Sequence, residues 1–159
     1  MPPPLSILSF CGKGKLAGCA LPTEKQHIKN LGEKHNVGVV FSLLQEENAP
    51  PLDYFEGTGV DSEIIEWRDF GVPSLEDIKK MVEQAKQYIE EKGKVVLVHC
   101  FAGMGRTGTA LACLLCFLEG TKPEEAIFKV REKCSGAIEN LEQEQFVFHF
   151  YNRIHPEEK

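Results

Sequence analysis

The chain has 159 residues, 42% hydrophobic and 26% charged, which suits one globular domain over residues 1–159, with enough core to need no disulfide or metal staple. Its formal net charge of -6 gives no general attraction for nucleic acid, though one cleft can still be positive. The longest apolar run, Ala110 to Leu118, is too short to cross a bilayer, and no export leader or lipidation signal is evident; no membrane partner and a cytoplasmic location, with the nucleus also open, are the expectation.

In chain order, Met1 to Pro4 is expected to fray, and Leu16 to Leu21 reads as a short strand ended by Pro22. Thr23 to His35 reads as a helix with Thr23 as N-cap and Gln26 completing a capping box. Val37 to Leu44, apolar and β-branched, predicts a buried strand. Gln45 to Asp61, polar and carrying Pro50-Pro51 and two glycines, predicts a loop with some local structure, and Glu63 to Trp67 another strand. The clearest helix spans Leu75 to Lys92, where Leu75, Ile78, Met81, Val82, Ala85, Tyr88 and Ile89 recur at helical spacing. Ser74 is its N-cap, Asp77 holds the capping-box position and Gly93 terminates it. Val95 to His99 is a continuous apolar strand suited to the centre of a parallel sheet. A helix follows over Arg106 to Leu118. Thr121, Pro123 and Glu124 open another that runs to about Cys134, and a last helix covers roughly Glu139 to Arg153. Strands separated by helices, then a helical C-terminal third, predict an α/β domain with its sheet covered on both faces.

The chemistry concentrates in His99-Cys100-Phe101-Ala102-Gly103-Met104-Gly105-Arg106-Thr107-Gly108, which fits H-C-x-x-G-x-x-R-[ST]-G. Chance gives this pattern about two or three times per million chains of this length and composition. It also lies between a buried strand and a helix, as an anion-binding loop requires. A phosphate needs several donors in one small concavity, and successive backbone N–H groups at a helix N-terminus supply them. Gly103 and Gly105 let the backbone turn and approach the ligand, and Arg106 can grip two phosphate oxygens through its planar fork. The same field favours the thiolate form of a cysteine at the base of the loop, so Cys100 is the candidate nucleophile. Thr107 can donate to its sulfur, and His99 is expected to orient the loop from behind. The plainer alternative, a buried thiol beside a structural turn, explains Cys100 but not the other residues at their offsets.

The remaining cysteines are Cys11, Cys19, Cys113, Cys116 and Cys134. Cys113-Leu114-Leu115-Cys116 is formally a CxxC, but it falls inside an apolar helical run and reads as core. No His/Cys spacing suggests a zinc site.

The loop, the run Leu16-Ala17-Gly18-Cys19-Ala20-Leu21-Pro22 and the late run Ile138-Glu139-Asn140-Leu141-Glu142-Gln143-Glu144 together resemble the protein tyrosine phosphatase superfamily, in its compact atypical dual-specificity branch. The resemblance extends over nearly the whole chain, to Tyr151. It implies the tyrosine phosphatase-like fold, a central mixed or parallel sheet flanked by helices. It further implies a phosphocysteine intermediate, hydrolysis of phosphotyrosine and of phosphoserine or phosphothreonine in a phosphoprotein substrate, and no metal or organic cofactor. Trp67-Arg68-Asp69-Phe70-Gly71-Val72-Pro73 looks like the family's W-P-D-F-G-V-P loop, making Asp69 the general acid. Arg68 replaces a proline there, which predicts a less rigid loop. Asp53 and Asp61 are weaker candidates. Glu139 falls in the slot where relatives place a water-positioning glutamine, and Gln143 matches the family's later glutamine, a supporting position. A monomer is expected.

Three rivals are set against this reading. A phosphoinositide phosphatase would want lysines in the loop, where Phe101 and Met104 stand, unless Lys13 or Lys15 folds over the pocket. An RNA 5′-phosphatase is disfavoured by the acidic chain. A phosphate-binding pseudoenzyme would be expected to lack the cysteine or the arginine.

Overall fold

The computed structural model describes residues 6–10 and 14–158, with side chains from Leu16 to Glu157. Met1 to Pro4, Cys11 and Lys13 lie outside the described residues, as does the side chain of Lys15. One sheet carries the strands β1 (Ser6–Phe10), β2 (Gly14–Cys19), β3 (Val37–Ser42), β4 (Asp61–Ile64) and β5 (Val95–His99), in the spatial order β1-β2-β5-β3-β4. β2, β5, β3 and β4 run parallel, while β1 pairs antiparallel with β2 from Ser6↔Gly18 to Phe10↔Gly14. The sequence reading placed no strand at 6–10. β1 is a short edge strand defined by its partner rather than by its own pattern.

Alternation along the parallel strands divides the core. Leu16, Val39, Phe41, Val96 and Val98 point to one face, where they meet α2 (Leu75–Glu90), α3 (Gly105–Glu119), α4 (Pro123–Lys133) and α5 (Leu141–Ile154). Ala17, Val40 and Leu97 point to the other, against Ile28 and Leu31 of α1 (Lys25–His35). The sheet is therefore covered on both faces, as expected of parallel strands. α2 buries Ile78, Met81, Val82, Ala85 and Ile89, and the Ser74 hydroxyl accepts from the Asp77 N–H at 3.1 Å. Residues 105–116 of α3 are buried without a break, so this helix forms the middle of the helical layer and its sequence shows no polar face.

Three local readings need correction. α1 begins at Lys25 with Glu24 as N-cap and no side-chain cap bond, so Thr23 stands one position too early, and its N–H donates to His27 Nδ1 at 3.2 Å. Gln26 instead bonds Asn30 at 2.9 Å. The fixed φ of Pro123 makes it the first helical residue of α4, so the N-cap is Lys122 and Thr121 stands one position too early for a capping box. α5 begins at Leu141 with Asn140 as N-cap, so Glu139 precedes the helix. The 45–61 loop contains two short 3₁₀ turns, Glu46–Asn48 and Leu52–Tyr54.

Candidate active site

The loop of residues 100–104 leaves the C-terminal end of the central strand β5 and feeds α3. Cys100 is buried, and the Thr107 hydroxyl donates to its sulfur at 3.0 Å. Behind it, fully buried His99 bonds the Cys100 carbonyl through Nδ1 at 3.0 Å and Ser42 Oγ through Nε2 at 2.7 Å. A carbonyl only accepts, so Nδ1 carries the proton and Ser42 donates to Nε2. Burial, with Arg106 adding to it, lowers the His99 pKa to about 4, so the ring is neutral near pH 7 and serves as a strut.

The loop is pressed onto neighbouring backbone. Gly103 has φ +79°, and a Cβ there would come within 2.9 Å of Cys19 and Ala20 backbone atoms; only glycine meets both demands. The Leu21 N–H holds the Phe101 carbonyl at 3.0 Å. Phe101, Ala102 and Met104 are exposed, while Gly105 and Arg106 are buried. No side chain caps the start of α3, which leaves its positive end facing the loop.

Arg106 is the hinge between two segments. Its Nη1 donates to the Trp67 carbonyl at 3.1 Å, its Nη2 lies 3.5 Å from Asp69 Oδ1, and its buried Nε has no hydrogen-bond partner among the described residues. A buried cationic donor without an acceptor is costly unless an anion meets it. The Asp69 side chain is 60% exposed, so this pair is worth ~0–1 kcal/mol and orients rather than stabilises.

The Asp69 loop is tightly stitched. Buried Trp67 donates through Nε1 to the Gly71 carbonyl at 2.7 Å, and the Gly71 N–H closes a turn onto the Arg68 carbonyl at 3.0 Å. Phe70 takes φ +62°, and its N–H donates to Asp69 Oδ1 at 3.0 Å. From across the cleft, Asn140 Nδ2 donates to the Phe70 carbonyl at 2.8 Å and Gln143 Nε2 to the Gly71 carbonyl at 3.3 Å. Gln143 is fully buried and also accepts from the Glu139 N–H at 2.8 Å. The Glu139 carboxylate stands over Gly105, where a Cβ would fall 2.0 Å from Oε1.

Cys100, Thr107, Arg106, Asp69, His99, Gln143 and Glu139 are thus brought to one place. Asp61 is bound by the Tyr88 hydroxyl, and Asp53 lies in the 3₁₀ turn packed against α1. Cys113 and Cys116 are buried in α3; burial pushes the Cys116 thiol up to about 12 and the Cys113 thiol well up. Among the described residues no group of three or more His, Cys, Asp or Glu could hold a metal ion. The sequence reading missed Ser42, Asn140 and Arg131. Ser42, a polar residue closing an apolar strand, carried a visible signal. Arg131 carried none, yet it grips the Ala137 carbonyl at 3.0 Å and that of Ile138 at 2.8 Å, holding Ile138 at φ +59° beside Glu139.

The family described as PTP-SAK, a "Swiss Army Knife protein, DSP-PTPase phosphatase domain", matches residues 5–147. The chain belongs to this family. The bovine protein tyrosine phosphatase domain-containing protein 1 is 33% identical over 138 residues, covering 87% of this chain. The chain spans only 15% of that relative's length. Tk-PTP, solved in its active form, superposes with a TM-score of 0.80 at 27% identity, covering 93% of this chain and 97% of its own. PTPMT1, solved in complex with PI(5)P, gives a TM-score of 0.81 at 26% identity, covering 91% and 94%. The α/β, tyrosine phosphatase-like fold expected from the sequence is the fold found, and the chain is a phosphatase domain of the dual-specificity type. No helix among its described residues is long and apolar enough to cross a membrane.

Proposed function

We propose that this domain is a protein phosphatase of the atypical dual-specificity kind, acting on phosphotyrosine first and on phosphoserine and phosphothreonine as well, through a phosphocysteine at Cys100. The observation that carries the reading is the loop itself: a buried sulfur that receives the Thr107 hydroxyl, beside a buried Arg106 whose Nε has no partner among the described residues. Arg106 and the loop N–H groups of residues 101–106 hold the three non-bridging phosphate oxygens, competing with Asp69 for the guanidinium. The Cys100 thiolate attacks phosphorus; the P–S bond forms as the P–O bond to the leaving group breaks, and Asp69 gives that oxygen its proton. In the second step a water attacks phosphorus and passes its proton to the Asp69 carboxylate. Cys100 then leaves as a thiolate, stabilised by Thr107. Glu139, standing over Gly105, is the second group placed to hold that water. No step requires a metal or an organic cofactor.

The rim supports a protein substrate. Phe70, Phe101 and Leu141 are each at least 60% exposed, and Met104 is 38% exposed; these come from the Asp69 loop, the Cys100 loop and the start of α5. An aromatic phosphate ester packs on such a rim with little desolvation loss, whereas an inositol carrying further phosphates needs a cation for each. A second reading, a phosphoinositide substrate, is favoured by the likeness to PTPMT1, which was solved with PI(5)P. Values of kcat/KM for a phosphotyrosyl peptide, its phosphoseryl counterpart and a soluble inositol phosphate, at one salt concentration, decide between them. The protein reading requires the tyrosyl peptide to lead; a preference for the inositol phosphate that is lost on Lys13→Ala with Lys15→Ala would establish the second.

A further inference from the structure

A groove of about 540 Å³ runs between α4 and α5, and no residue of the Cys100 loop lines it. Its apolar surface is Ile127, Phe128 and Phe148, and its charged surface is Glu124, Glu132, Glu144 and Arg131. The spacing explains the shape. Residues 124, 127, 128 and 131 form one stripe of α4, and 144 and 148 face it from α5. Ile127 is buried and forms the floor, but Phe128 is 55% and Phe148 38% exposed. Two half-exposed phenylalanines on adjacent helices, sharing one concavity, are an unfilled apolar surface rather than a scattered one.

The charges state what would fill it. Among the described residues Arg131 is the one cation lining the groove, and it is spent: it pairs with Glu144 at 3.3 Å and holds the Ala137 and Ile138 carbonyls. Glu124 and Glu132 have no ion-pair partner among the described residues. With three carboxylates against one guanidinium, the lining is net negative. That disfavours an anionic lipid surface and also a second copy of this chain, whose net charge is -6.

We propose that this groove docks a segment of a phosphoprotein in which apolar side chains alternate with lysines or arginines. The apolar residues would cover Phe128 and Phe148, and the basic ones would meet Glu124 and Glu132. The groove is linked to the active-site loop through Arg131, which lines it and holds the Ile138 carbonyl, while the Ile138 N–H donates to the Met104 carbonyl at 3.4 Å. One bound chain can thus place its phosphate in the loop and a flanking segment in the groove. That the occupant is a phosphoprotein rests on the function proposed above; the acidic, apolar character of the groove does not.

Binding of labelled, unphosphorylated peptides to the full chain tests this without involving Cys100. The probes are an amphipathic Leu/Lys peptide, a Ser/Lys peptide of equal charge and a Leu/Glu peptide. The Leu/Lys peptide should bind at least about tenfold more tightly than the other two. Glu124→Lys with Glu132→Lys should erase that advantage, while Glu46→Lys with Glu47→Lys, the same change in net charge elsewhere, should keep it. Phe128→Ser, which leaves the charge alone, should weaken the Leu/Lys peptide by a similar factor and serves if the double variant fails to fold. Hydrogen exchange should show protection in 123–133 and 141–154. Equal binding of the Leu/Lys and Ser/Lys peptides, equal effects of the two charge reversals, or protection elsewhere would overturn the site. Fusing the Leu/Lys segment to a phosphotyrosyl peptide should lower KM about tenfold, and an unchanged KM would overturn the phosphoprotein as its occupant.

Discussion

Arg106 Nη2 lies 3.5 Å from Asp69 Oδ1, joining the first turn of α3 to the loop that follows β4. The same guanidinium holds the Trp67 carbonyl, and its buried Nε has no partner among the described residues. One side chain therefore fixes where the proposed acid stands relative to the proposed nucleophile and offers a donor to the substrate. The consequences of that arrangement can be measured.

Replacing Arg106 by lysine keeps the charge but loses the fork, so it cannot hold Trp67, Asp69 and two phosphate oxygens from one plane. Steady-state kinetics on an aryl phosphate should show Arg106→Lys down about 100- to 1000-fold in kcat, close to Arg106→Ala. A lysine variant with near-normal turnover would refute the bidentate assignment.

Asp69→Asn removes the proposed proton donor while keeping the acceptor for the Phe70 N–H. Turnover of a phosphotyrosyl peptide should fall about 100-fold or more. An ester whose leaving group departs without a proton should lose much less in the same assay. Equal losses on both esters would move the acid role to another carboxylate.

Asn140 does two things that one substitution separates. Its side-chain Oδ1 accepts from the Gln143 N–H at 2.8 Å as the α5 cap, and its Nδ2 donates to the Phe70 carbonyl. Asn140→Asp keeps the cap and loses the second bond; Asn140→Ala loses both. The alanine variant should be less stable by about 0.5–2 kcal/mol in denaturant unfolding. The aspartate variant should retain stability and show lower kcat with little change in KM, since the Asp69 loop is its only altered contact. Wild-type kcat in Asn140→Asp would show that the bond to Phe70 does not position the acid.

His99 gives a pH dependence whose sign is fixed by its burial. Its folded pKa, about 4, lies below the ordinary value of 6.5, so between these pH values the unfolded chain binds the extra proton. Stability contributed by neutral His99 is fully present above pH 6.5 and is lost as pH falls toward 4. The difference is worth on the order of 3 kcal/mol. Equilibrium unfolding of wild type and His99→Asn across this window should show the variant less stable at pH 7 but with a flatter slope. Parallel slopes would mean that His99 is not the group titrating.

What the sequence showed of this protein is whatever is written locally. The Cys100 loop, the α2 stripe from Leu75 to Ile89 and the buried run of β5 each declare themselves within a short window, through spacing that packing then respects. What was hidden depends on partners distant in the chain. β1 exists through its pairing with β2, and Asn140 and Gln143 matter because they reach Phe70 and Gly71. Arg131, an ordinary helical arginine by sequence, matters because the chain returns past it at Ala137 and Ile138. The capping patterns at α1 and α4 each fell one residue early: α1 takes Glu24 as its N-cap, and at α4 Pro123 sets the first helical position.

The central claim is that phosphate passes through the Cys100 sulfur. Acid quenching during turnover of an aryl phosphate, followed by peptide mass analysis, tests it directly. The peptide spanning residues 95–106 should gain the mass of one phosphoryl group on Cys100, and accumulate more of it in a variant slowed in the second step. Cys100→Ser should bind vanadate or phosphate yet lose turnover by several orders of magnitude. Full turnover by Cys100→Ser, or a phosphoryl group found on Cys113 or Cys116 instead, would contradict the account.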